Sequence, residues 1–131
     1  MAIHLGIVQI NVTDPAVAWK FYVDTLGLSG RWLAGRRAFE LAIPAGPMVL
    51  VYPATRATPN GYPDGTGVVL VLYTDDLDSA VKQWRARDVE FIPIGWAEDE
   101  SGIGRSPYGR FIAFRDPSGN VLELLEPAGS D

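Results

Sequence analysis

The sequence predicts an α+β fold of two βαβββ modules whose sheets curl round a shared cleft as a curved half-barrel. Three observations predict it. Val12-Thr13-Asp14 and the helix after it match Tyr73-Thr74-Asp75 and its helix. Phe39…Pro44-Ala45-Gly46…Val51-Tyr52-Pro53-Ala54 matches Phe111…Pro117-Ser118-Gly119…Leu125-Glu126-Pro127-Ala128. Between the halves runs PATRATPNGYPDGTG, too rich in proline, glycine and Asn-Gly to form an element. Neither half alone can bury both faces of its sheet, so the duplication implies two half-sheets round a shared cleft. Residues 1–131 are one domain, with a first module over about 1–54, a linker over 55–67 and a second module over about 68–127.

The first strand spans Ile3 to Val12. Side chains alternate across a strand, so Val8, Ile10 and Val12 face the core, while Ile7, Gln9 and Asn11 face a cavity or solvent. His4, the sole histidine, falls on the Val8 side, which argues against a ligand role. Asp14 then caps a helix with Pro15 at its first position and Gly27 just past its end. Ala18, Phe21, Tyr22 and Thr25 recur on its inner face, and Trp19 is expected to be exposed or at an interface. Strands follow over Ser29–Leu33, Arg37–Ile43 and Pro47–Tyr52, with Pro44-Ala45-Gly46 as a turn.

In the second half Val68–Thr74 is a β-branched strand, and Asp75/Asp76 cap a helix carrying Leu77, Val81 and Trp84 on one face. Val89–Ile94 is a strand, followed by a long loop from Gly95 to Gly109. The chain then forms a hairpin, FIAFRDPSGNVLELLEP, turned by Asp116-Pro117-Ser118-Gly119-Asn120. Its last strand is apolar on both faces except at Glu123. A carboxylate there is costly to bury unless something pairs with it or binds it.

Composition narrows the function. A 47% hydrophobic share in 131 residues supports a well-packed globule. A net charge of −5 argues against nucleic acid, which needs clustered lysine and arginine, and leaves room for neutral or cationic small molecules. Without cysteine there is no disulfide, thiolate nucleophile or thiolate metal site. No apolar run reaches membrane-spanning length and the N-terminus lacks a leader pattern, so no membrane partner is expected and the cytoplasm is the expected location.

Three stretches, VQINVTDPAVAWKFYVDTLGL, VLYTDDLDSAVKQW and PYGRFIAFRDPSGNVLELLEP, resemble the vicinal oxygen chelate superfamily. That superfamily includes glyoxalase I, bleomycin-resistance proteins, fosfomycin-resistance enzymes and extradiol dioxygenases. The resemblance covers essentially the whole chain and implies the glyoxalase/bleomycin-resistance fold and a homodimer. In metal-dependent members a histidine stands seven residues before the first helix-capping aspartate, where this chain has Ile7. A second stands six residues before the matching aspartate of the second half, where this chain has Val69. A third ligand position falls on Val49, or on Leu50 if the repeats are aligned from their turns. Only the last position keeps a ligating group, Glu123. One carboxylate cannot hold a divalent catalytic ion, which needs at least three protein ligands. Asn11 stands where glyoxalases carry a glutathione-recognising arginine. The resemblance therefore implies no metal and no cofactor.

What remains is a cleft lined by Ile7, Val49, Val69, Val71 and Tyr73, with Gln9, Asn11 and Glu123 as isolated polar groups. Trp96 and Tyr108 stand near its mouth, on a loop that Gly102, Gly104 and Gly109 allow to move; ordinary core or dimer packing is the competing role for both aromatics. An apolar pocket with few polar anchors suits a small molecule. The expected function is a metal-free protein that sequesters an apolar or aromatic, including cationic, metabolite or antibiotic. The alternative is a metal-independent lyase or isomerase with Glu123 as general base; a third class is an interaction module whose cleft is filled.

Overall fold

Strand length in the first sheet is set by its partners. The computed structural model describes residues 2–54, 68–92 and 101–129. In it β1 runs over Ile7–Val12, rather than from Ile3, because its parallel partner β4, Met48–Pro53, begins opposite Ile7. Ile10 and Val12 are buried and Ile7 is 54% exposed, as alternation requires. β2, Ser29–Trp32, and β3, Phe39–Ala42, complete a sheet ordered β1-β4-β3-β2, antiparallel except for the β1–β4 pair.

Asp14 caps the first helix as expected: its Oδ1 accepts the N–H groups of Ala16 at 3.0 Å and Val17 at 3.3 Å. The helix α1, Pro15–Trp19, runs on into a π-helical stretch, Lys20–Thr25, and ends before Gly27 at a φ of +83°. Ala18 and Tyr22 are buried. Trp19 packs within its own unit rather than standing exposed. It is half-buried, stacks on Trp32 at 4.9 Å and meets Phe39 edge-on at 5.1 Å. Gly30 makes room for it, since a Cβ there would lie 2.7 Å from both the Trp19 ring and Val23.

The second sheet repeats the plan. β5 (Leu70–Tyr73), α2 (Leu77–Ala86), β6 (Glu90–Ile92), β7 (Gly104–Ser106), β8 (Gly109–Arg115) and β9 (Val121–Pro127) give the order β5-β9-β8-β6, with β5 and β9 parallel. β7 pairs with β8 from Gly104 to Ser106, so the expected loop between Gly95 and Gly109 holds a strand. Its Gly-Arg-Ser sequence carries no β-branched or aromatic residue to announce it. Leu77, Val81 and Trp84 are buried on α2, and the Trp84 ring meets Phe114 edge-on at 5.0 Å.

The hairpin turn is organised by Asp116, which is 3% exposed. Its carboxylate accepts the N–H groups of Ser118 and Asn120 and the Asn120 side-chain amide, at 2.8–2.9 Å. This is the Asx geometry that lets a short polar side chain stand in for backbone pairing.

The chain divides into two units, Met1–Thr58 and Pro59–Asp131. The expected linker over 55–67 lies outside the described residues. Both units are α+β, a mixed sheet with a helix packed on one face. No helix among the described residues is long and apolar enough to cross a membrane.

Candidate functional site

In the first unit the helix covers the face carrying Phe39, Leu41, Val49 and Val51, and the opposite face is open. Ile7, Gln9 and Asn11 project from β1 on that open side, and all three are exposed. The Gln9 side-chain amide donates to Asn11 Oδ1 at 2.9 Å, which orients the two side-chain amides along the strand. Register decides what stands beside them: Met48 lies opposite Ile7, Leu50 opposite Gln9 and Tyr52 opposite Asn11. Leu50 also pairs with Glu40, whose carboxylate holds Arg31 at 2.8 Å. An apolar and amide surface thus ends in an ion pair near the sheet edge.

Val49 does not belong to this surface. It is 4% exposed, on the helix-covered side. The strand Met48-Val49-Leu50-Val51 is apolar on both faces, so periodicity alone does not say which side is open. Pairing with β1 does, and it assigns the open side to Met48, Leu50 and Tyr52.

In the second unit the face away from α2 carries Glu123. Val71 of β5 lies opposite it on one side and Ala113 of β8 on the other. Val121 and Leu125 flank it along β9, and with Phe111 and Ala113 they are at most 5% exposed. Glu123 itself is half-buried. Among the described residues no donor reaches its carboxylate. The two arginines nearest in the hairpin are engaged elsewhere: Arg110 with Asp78 at 2.8 Å and Glu126 at 3.6 Å, Arg115 with Glu90 at 3.2 Å. Val71 and Tyr73 open this face to solvent at 42% and 69% exposure.

The remaining expected residues fall as follows. Val69 precedes β5 and is half-buried. Tyr108 stands 73% exposed in the turn between β7 and β8. Trp96 lies outside the described residues. Gly109 stands where the backbone approaches closely: a Cβ on it would lie 2.0 Å from the Glu126 carbonyl oxygen.

The residues at the implied ligand positions do not fit a divalent ion. Ile7, Val69 and either Val49 or Leu50 offer no ligating atom, so Glu123 would be the sole donor. Among the described residues no three His, Asp or Glu side chains gather in a way that could hold one.

The profile of the family described as the Glyoxalase/Bleomycin resistance protein/Dioxygenase superfamily matches residues 4–124. Among curated proteins no sequence matches significantly. Among solved structures, an antibiotic binding protein, TnmS3 from Streptomyces sp. CB03234, is 26% identical, with a TM-score of 0.68 over 98% of this chain and 99% of that one. A member of the same superfamily from Sphaerobacter thermophilus DSM 20745 is 27% identical, with a TM-score of 0.69 over 95% and 98%. A putative glyoxalase family protein from Bacillus anthracis has a TM-score of 0.74 over 98% of both chains at 15% identity, a likeness of fold alone.

Proposed function

The chain belongs to the Glyoxalase/Bleomycin resistance protein/Dioxygenase superfamily, and from that premise we propose that it binds a small apolar or aromatic ligand bearing a cationic or hydrogen-bond-donating group, and does so without a metal. One observation carries this reading. Glu123 is a half-buried carboxylate between Val71 and Ala113, and no donor among the described residues reaches it. A half-buried carboxylate with no donor leaves hydrogen-bonding capacity unused, so a ligand supplying that donor gains a charge-assisted hydrogen bond. The flanking Val71 and Tyr73 give such a ligand apolar and aromatic surface. The similarity to an antibiotic binding protein over nearly the whole of both chains supports sequestration rather than turnover.

The ligand class includes antibiotics as well as metabolites, and the protein acts as a cytoplasmic homodimer. The rival reading makes Glu123 a general base in a metal-independent lyase or isomerase, since a carboxylate without a donor also suits proton abstraction. The experiment that separates them is isothermal titration with a panel of aromatic amines and cationic antibiotics, followed by mass spectrometry of the recovered compound. Stoichiometric binding with the compound unchanged supports sequestration. Conversion of more than one equivalent per chain establishes an enzyme, and saturable binding only in the presence of added zinc, nickel or manganese overturns the metal-free reading.

A further inference from the structure

We infer that the first unit carries a second ligand site, separate from the open sheet face, which takes a small aryl carboxylate. A cavity of about 280 Å³ is lined by the start of α1, the end of β2, the turn between β2 and β3, and the end of β4. Trp32, Pro15 and Pro53 give it apolar walls, and Arg36 and Arg37 bring two guanidinium groups to its lining. None of Ile7, Gln9, Asn11, Leu50 or Tyr52 lines it.

Charge favours an anion of a particular kind. Among the described residues neither Arg36 nor Arg37 has a carboxylate partner. Asp14 also lines the cavity, but its Oδ1 is occupied by the Ala16 and Val17 N–H groups. Among the described lining residues the balance is a single excess positive charge, which suits a monoanion and opposes a phosphate dianion. Two guanidinium groups beside Trp32 and the faces of two prolines match a carboxylate attached to a ring.

The local backbone is shaped to present this group. Gly35 and Arg36 take consecutive positive φ values of 84° and 53°. An arginine is strained there, where glycine or asparagine would be at ease. The turn is held by the Arg36 N–H to the Leu33 carbonyl at 3.0 Å and by the Leu33 N–H to the Ala38 carbonyl at 2.9 Å. It carries the Arg36 guanidinium over Trp32, 5.6 Å from the ring centroid, while Trp32 is itself fixed by stacking on Trp19. Strain of this kind persists where surrounding contacts over-determine it, and it concentrates at ligand clamps. The cavity, two cations with no carboxylate partner among the described residues, and the strained arginine coincide at one place.

The test is a titration of the ¹⁵N-labelled full chain with sodium benzoate, with benzylamine hydrochloride as the cationic counterpart of the same size. Saturable shifts are expected in the Trp32 indole N–H and the amides of Gly35 to Ala38 with benzoate, and none there with benzylamine. Arg36→Asn keeps a residue comfortable at positive φ, and Arg37→Gln keeps the side chain polar. Each should weaken benzoate roughly tenfold, as loss of a charge-assisted bond implies. Lys82→Gln, on the exposed face of α2, should leave benzoate affinity unchanged. Equal shifts with both probes, saturation mapping elsewhere, or unchanged affinity in both arginine variants overturns the inference. The wild-type shift pattern decides the matter even where a variant fails to fold.

Discussion

Glu126 on β9 accepts the backbone N–H of Leu77 through its Oε1 at 3.0 Å, so the first turn of α2 is capped from the sheet across 49 residues of sequence. Helix N-termini leave N–H groups that need such acceptors. Arg110 ties the same corner together, donating to both Asp78 oxygens at 2.8 and 3.1 Å and lying 3.6 Å from Glu126. Removing the acceptor by Glu126→Ala should cost about 1–2 kcal/mol in urea denaturation, the usual worth of a cap. Glu126→Gln keeps an oxygen acceptor for Leu77 and should cost less than about 1 kcal/mol.

The same corner predicts an acid response. The Arg110 hydrogen bond and charge hold the Asp78 carboxyl below its ordinary value of 3.8. A carboxyl whose folded pKa lies below its unfolded one contributes stability above the unfolded pKa and loses it as pH falls through the folded pKa. The Asp78 contribution is therefore present at neutral pH and declines from about pH 3.8 downward. The side chain is 70% exposed, so the effect is small and screened by salt. In Asp78→Asn this part of the acid slope should vanish in melting curves between about pH 5 and about pH 2.5, a span that brackets the usual carboxylate range, measured at low salt.

Alternation and turn chemistry made most of the architecture legible. Val12, Ala18, Tyr22, Leu77, Val81 and Trp84 are buried where periodicity expects them. Periodicity failed where a strand is apolar on both faces, as at Val49, because only pairing with β1 distinguishes its sides. It failed for β7 because Gly104-Arg105-Ser106 carries no strand propensity and pairs only because β8 offers it an edge. Nor did it place Trp19 against Trp32 and Phe39, a packing that depends on a glycine eleven positions later that no local pattern announces. At the candidate site, Glu123 stood out from its strand, but its neighbour Ala113 follows only from the β8–β9 register.

Gly109 gives a sharper test of packing. Its φ is +146°, and a Cβ would fall 2.0 Å from the Glu126 carbonyl oxygen and 2.9 Å from the Ala128 nitrogen. Both obstacles are backbone, so neither can swing aside. Gly109→Ala should destabilise the second unit by roughly 3 kcal/mol or more, the range of strained or overpacked sites. A chain with that substitution and an unchanged denaturation midpoint would mean the β8–β9 pairing does not begin at Gly109.

Glu123→Gln separates a binding carboxylate from a structural one. The substitution keeps the shape and removes the charge. Arg110 and Arg115 already have acidic partners in Asp78, Glu126 and Glu90, so neither is stranded when Glu123 becomes neutral. Stability should hold or rise, because the desolvation cost of a half-buried carboxylate disappears. Affinity for an aromatic amine should meanwhile fall by about 1.5–3 kcal/mol, the worth of a hydrogen bond to a charged group, which is roughly ten- to a hundredfold or more in Kd. Ligands that are purely apolar should bind variant and wild type alike, since Val71 and Ala113 beside Glu123 are untouched. Paired urea curves and calorimetric titrations on the two proteins read both quantities. A stability loss of roughly 3–5 kcal/mol, as expected when a buried ion pair loses one partner, with amine affinity unchanged, would mean that Glu123 serves a cation within the protein instead of one in a ligand.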